Sequence, residues 1–138
     1  MITPSFSNLV GTLIMSVGHM HLAHFIVGNG KHGSYAAHIA LQTYYEEMSE
    51  LADALAEHIL KSTYLDEYED VSDYLNNSEP NIPTEPSSIP VIYLENLKLF
   101  VNNARMVLFD EKDQPVQSLI DDIINLIEQT LYKLTRLK

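Results

Sequence analysis

The chain has 138 residues, 46% hydrophobic and 20% charged, a composition that builds one globular domain and argues against disorder. Eight Lys and Arg stand against 19 Asp and Glu, and a net charge of −11 repels phosphate backbones, so the expectation is a protein that binds no nucleic acid. Without cysteine there is no disulfide, thiolate chemistry or Cys-based zinc site, which leaves six His among many carboxylates as candidate metal ligands.

The first helix is expected over about 5–27, after Thr3-Pro4-Ser5, where Ser5 or Ser7 can cap. Its apolar residues, Phe6, Leu9, Val10, Leu13, Val17 and Met20, recur every three or four positions. The best apolar run, Leu9 to Val17, is interrupted by Gly11, Thr12 and Ser16 and is shorter than the ~18 to 20 residues of a membrane span. No Lys or Arg precedes it to make a signal peptide. The expectation is therefore a soluble, cytoplasmic protein with no membrane partner.

A Gly28-Asn29-Gly30-Lys31-His32-Gly33 turn follows. The second helix is expected over about 34–63, with Ser34 as cap and a body of Ala, Leu, Glu and Met. Residues 64–90 hold an acidic run, Asp66 to Asp73, that reads as a solvated face, and then Pro80, Pro83, Pro86 and Pro90. They suggest an extended crossover with a short helix over Val71–Asn76, long enough to span a bundle. The third helix is expected over about 91–109, with Leu94, Leu97, Phe100, Val101, Ala104 and Leu108 on one face. The fourth covers about 115–137, opened by Pro115 and carrying Leu119, Ile120, Ile123, Ile127, Leu131 and Leu134. The fold class that results is all-α: a ferritin-like four-helix bundle in a single domain, residues 1–138, with its long crossover between the second and third helices.

At about 100° per residue, the second helix divides into three stripes. Leu41, Tyr44, Met48, Leu51, Leu55 and Ile59 form a core face, while Thr43, Glu47, Glu50, His58 and Lys61 form a solvent face. The third stripe, with His38, Gln42, Tyr45, Ser49, Asp53, Ala56, Glu57 and Leu60, mixes small residues with metal-ligand types. Asp53 and Glu57 lie one turn apart and can share an ion. His38 precedes Asp53 by 15 residues, roughly 22 Å of helix, so one chain cannot bring them to the same metal. Two antiparallel copies related by a two-fold axis near Tyr45–Ser49 can. His24, across the glycine turn from His38, can join the site.

The runs His21-Leu22-Ala23-His24-Phe25, Ser34-Tyr35-Ala36-Ala37-His38 and Asp53-Ala54-Leu55-Ala56-Glu57 resemble the Dps mini-ferritins, and more closely the small Dps-like proteins of tailed phages. The resemblance implies a ferroxidase centre across a dimer two-fold, with His24, His38, Asp53 and Glu57 as ligands. The helix order and the His-to-carboxylate spacings of 15 and 19 residues agree with that pattern. Phe25 stands where the family usually has Trp, the turn between the His residues is about two residues longer, and His58 replaces a usual Arg. Gln42 replaces an acidic ligand common in the family, and the Lys-rich DNA-binding tail is missing. Asp110, Glu111, Asp113, Asp121 and Asp122 fall near the corner where such cages admit cations. His19 and His21 read as structural, with His21 able to support the site, while His32 and His58 read as exposed.

The expected function is thus Fe(II) binding between two chains, oxidation by peroxide or O₂, and sequestration of ferric oxide in a cage. A homo-oligomer is implied: a two-fold dimer through the second helix, extended in the family to a dodecamer, and residing in the host cytoplasm if phage-encoded. Zinc or another divalent ion suits the same ligands. The alternative keeps the fold without turnover, as a structural or interaction protein whose dimer interface is stapled by metal or metal-free.

Overall fold

A computed structural model describes residues 4–27, 35–62, 64 and 89–136. These form four helices, α1 (Phe6–Val27), α2 (Tyr35–Lys61), α3 (Ile89–Leu108) and α4 (Gln114–Arg136), and no strand occurs among the described residues. The expected cap Ser34 and the short helix at Val71–Asn76 lie outside the described residues.

Helix ends follow from local chemistry. Ser5 caps α1 reciprocally: the Asn8 amide donates to Ser5 Oγ at 3.1 Å, and the Ser5 amide donates to Asn8 Oδ1 at 2.8 Å. α3 starts at Ile89, two residues earlier than periodicity places it, because Pro90 is tolerated in a first turn, where its missing N–H has no intrahelical role. α4 is capped by Asp113, whose Oδ1 accepts from the Val116 amide at 3.2 Å.

α1 packs on α2, α2 on α4, α4 on α3 and α3 on α1, a closed ring of four helices. The core is supplied as the spacing suggests, with Leu9 and Leu13 of α1, Leu41 and Met48 of α2, Leu94 and Val101 of α3, and Ile120, Ile123 and Ile127 of α4 all buried. Tyr44 is fully buried, and its hydroxyl is bonded to Ser16 Oγ at 2.8 Å. Burial pushes the Tyr44 phenol above its usual range, and it remains neutral.

Directions are set by contacts at each end. The Phe6 ring meets Tyr64, just past α2, and Phe109, just past α3, each at 5.5 Å between centroids. Tyr64 OH donates to Asp113 Oδ2 at 2.8 Å and accepts from the Asp110 amide at 3.2 Å. The start of α3 lies instead against the far half of α1, where Tyr93 OH bonds His19 Nδ1 at 3.0 Å. α2 and α3 therefore run in the same direction, and each ring neighbour is antiparallel to the next.

By length and composition α1 is apolar enough to cross a membrane, because its interrupting Gly, Ser, Thr and His residues carry no fixed charge. One side of the same helix, including Leu9, Leu13, Met20 and Ala23, is buried in the bundle core.

Candidate metal centre

The C-terminal end of α1 and the first turn of α2 bring His24 and His38 together. Their rings stack with centroids 3.8 Å apart and an interplanar angle of 27°. His24 is only 8% exposed, yet neither of its ring nitrogens has a hydrogen-bond partner, and His38 Nδ1 is equally buried and unpartnered. Buried nitrogens normally find a partner, because leaving one without costs the full desolvation of the group. Desolvation, and then the neighbouring His38 and His21, hold the His24 pKa below its ordinary value of 6.5. The neutral imidazole that results is the form that donates a lone pair to a metal.

Aromatic rings wall this pair. Tyr45 stands edge-on to His24 at 5.5 Å, and Phe25 does so at 5.6 Å. His21 lies stacked between Tyr45 at 4.2 Å and Phe25 at 5.0 Å, which places it beside the pair without joining it. His21 is thus held by ring packing and His19 by the Tyr93 hydroxyl, both in structural settings.

Asp53 and Glu57 are exposed on the outer side of α2, where the helical stripe puts them. α2 is continuous over Tyr35–Lys61, so about 22 Å of helix separates His38 from Asp53. Within one protomer the imidazoles and carboxylates stay apart, and no group of three or more His, Asp or Glu suited to a metal occurs among the described residues. Gln42, on the same stripe, donates through Nε2 to Glu46 Oε1 at 3.2 Å. Unpartnered imidazole nitrogens are a donor type that borderline divalent cations such as Fe(II) and Zn(II) accept.

His58 departs from expectation. It is half-buried, and its Nε2 lies 2.9 Å from Asp113 Oδ2, joining the end of α2 to the start of α4. The bond to His58 is the main reason the Asp113 carboxyl sits below its usual range. The α2 periodicity reads His58 as solvent-facing, but a carboxylate 55 residues away in sequence covers it.

The architecture defines the class as an all-helical, four-helix protein. The chain belongs to a family of unknown function, DUF5856, whose profile matches residues 31–134. That match includes His38, Gln42, Asp53 and Glu57 and leaves the whole of α1, with His24, outside it. No curated protein and no solved structure matches the chain.

Proposed function

We propose that this protein is a ferritin-like, Dps-type iron protein that binds Fe(II) between two protomers and oxidises it. The observation that carries the reading is the stacked His24–His38 pair, with three buried ring nitrogens lacking any partner. His24 and His38 of one protomer would supply imidazole to the ion, and Asp53 and Glu57 of a two-fold-related protomer would supply negative charge. Fe(II) is the substrate. Each ion gives up one electron, so that two ions and two solvent protons reduce one peroxide to two waters, or four ions and four protons reduce one O₂ to two waters. The carboxylates would stabilise the higher charge of the ferric product. The shared direction of α2 and α3 supports a ferritin-like crossover, since the chain between them must join opposite ends of the bundle.

The double substitution Asp53→Ala, Glu57→Ala tests this reading. Stopped-flow absorbance should show rapid Fe(II) oxidation by wild type and its loss in the double variant, with circular dichroism unchanged because both side chains are exposed. Oxidation by wild type no faster than in buffer overturns the ferroxidase reading.

A second reading has a specific observation behind it. Gln42 offers an amide where an anionic ligand would strengthen a second iron position, and its nitrogen is engaged with Glu46. A protein with one weakened position could hold zinc or another divalent ion as a staple between protomers without turnover. Gln42→Asp separates the two: a faster oxidation rate or higher iron occupancy favours the ferroxidase, and no change favours the staple.

A further inference from the structure

Tyr93 of α3 is 6% exposed, and its hydroxyl lies 3.0 Å from His19 Nδ1 on α1. The two rings pack with centroids 5.4 Å apart. A buried phenol proton needs an acceptor, and His19 Nδ1 is the one partner of the Tyr93 hydroxyl among the described residues. The phenol therefore donates to an imidazole nitrogen that keeps its lone pair. Desolvation holds the His19 pKa below 6.5, so near neutral pH this nitrogen is free to take a proton.

Tyr44 shows the contrasting arrangement. It is fully buried, and its hydroxyl meets Ser16 Oγ at 2.8 Å. Ser16 gives its own proton to the Leu13 carbonyl at 2.6 Å, so Tyr44 donates to a hydroxyl oxygen, which is no base. A phenol that loses an electron becomes a strong acid and must shed its proton. Tyr93 has a base in place for that step, and Tyr44 does not.

The need for such a donor follows from the proposed function, on which this inference rests. Peroxide takes two electrons and two protons to become two waters, and one Fe(II) supplies one electron. Gln42 leaves the second iron position without an anionic ligand, and its nitrogen is held by Glu46. A site loaded with one ion therefore stops one electron short, at hydroxide and a hydroxyl radical. His19 and His24 both lie on the continuous α1, roughly 7.5 Å of rise apart. Aromatic residues connect the two places. Tyr45 stands edge-on to His24 at 5.5 Å, and Tyr44, next to it on α2, is near enough to Tyr93 for the two phenols to interact.

We infer that Tyr93 supplies the second electron to peroxide, with His19 Nδ1 accepting its phenolic proton. The O–O bond and the Tyr93 O–H bond break, Fe(II) becomes Fe(III), and two solvent protons complete the two waters. Tyr93 is left as a neutral radical, hydrogen-bonded to a protonated His19. A second Fe(II) reaching the site returns the electron, and the proton moves back from Nδ1 to the phenol oxygen.

Rapid-freeze electron paramagnetic resonance, with one Fe(II) and one peroxide per protomer, gives the test. Wild type should show a tyrosyl radical. Tyr93→Phe should lose it and yield more hydroxyl-radical adduct with a spin trap. His19→Gln keeps a hydrogen-bond acceptor without a base and should slow radical formation about 100-fold. Tyr45→Phe should keep the signal. A radical that survives Tyr93→Phe and disappears in Tyr45→Phe overturns the inference, as does an unchanged rate in His19→Gln. Rapid Fe(II) oxidation by wild type with no tyrosyl radical overturns this inference and leaves the ferroxidase reading standing. Oxidation no faster than in buffer overturns both.

Discussion

His24 carries an unusual burden for a buried side chain, with two ring nitrogens desolvated and neither compensated. Replacing it by leucine removes both, so His24→Leu should leave stability in the absence of metal unchanged or raise it by about 1 kcal/mol, measured by urea denaturation at pH 7.5, while metal affinity falls. The pH dependence has a definite sign. The folded pKa of His24, and by burial that of His19, lies below 6.5, so the unfolded chain takes up protons that the folded one refuses as pH falls through that value. Wild-type stability should therefore decline between pH 7.5 and 5, and His24→Leu should decline less. Asp113 behaves differently. Its carboxyl is depressed, so its contribution is present above the ordinary carboxylate range and disappears as pH falls through the lowered folded value. Asp113→Ala, which loses the helix cap together with the His58 and Tyr64 bonds, should cost about 1–2 kcal/mol in urea unfolding at pH 7. Asp113→Asn keeps the cap and should cost less.

Among the helices, α4 separates its two faces most cleanly. Ile120, Ile123 and Ile127 are buried, while Asp121, Asp122 and Glu128 lie exposed beside them. Ile123→Ala should cost about 2–5 kcal/mol in chemical denaturation, and Asp122→Ala should stay within about 0.5 kcal/mol. Spacing of three and four residues made these faces legible in advance, and the same rule correctly placed Leu41, Tyr44, Met48, Leu55 and Ile59 of α2 inside. It missed Tyr93, Val116 and Leu126, which are also buried. Tyr93 is drawn in by a specific partner, the His19 ring on α1, and a pattern within one helix cannot register a partner on another. Ser5 rather than Ser7 caps α1 because Asn8 returns the bond, an arrangement set by geometry within the first turn.

At the scale of the molecule, charge governs what the protein can approach. A net charge of −11 predicts no DNA mobility shift by the purified protein at physiological salt, and a tight, salt-sensitive shift would contradict it. The acid is unevenly spread: α2 exposes Glu46, Glu47, Glu50, Asp53 and Glu57, whereas α1 exposes apolar side chains. In the proposed two-fold dimer the carboxylates of each chain would lie against the imidazoles of the other. Excess divalent metal should then shift the monomer–dimer equilibrium toward dimer in proportion to its preference for the assembled site, and chelation should reverse the shift.

The amino-acid sequence by itself determined the helical class, the division of α2 into faces, and the separation of His38 from Asp53, because each follows from a helical repeat acting over neighbouring residues. It also placed His24 and His38 on either side of a short glycine-rich stretch, near enough in sequence for their helices to bring them together. Only the tertiary structure decided that these rings stack 3.8 Å apart with their nitrogens unpartnered, that His58 is claimed by Asp113, and that Tyr64 and Phe109 meet over Phe6. Those contacts join residues on different helices, so they depend on how the helices are ordered and how far each is shifted along its neighbour. Core packing of the whole ring sets those quantities, and the repeat within a single helix carries no information about them.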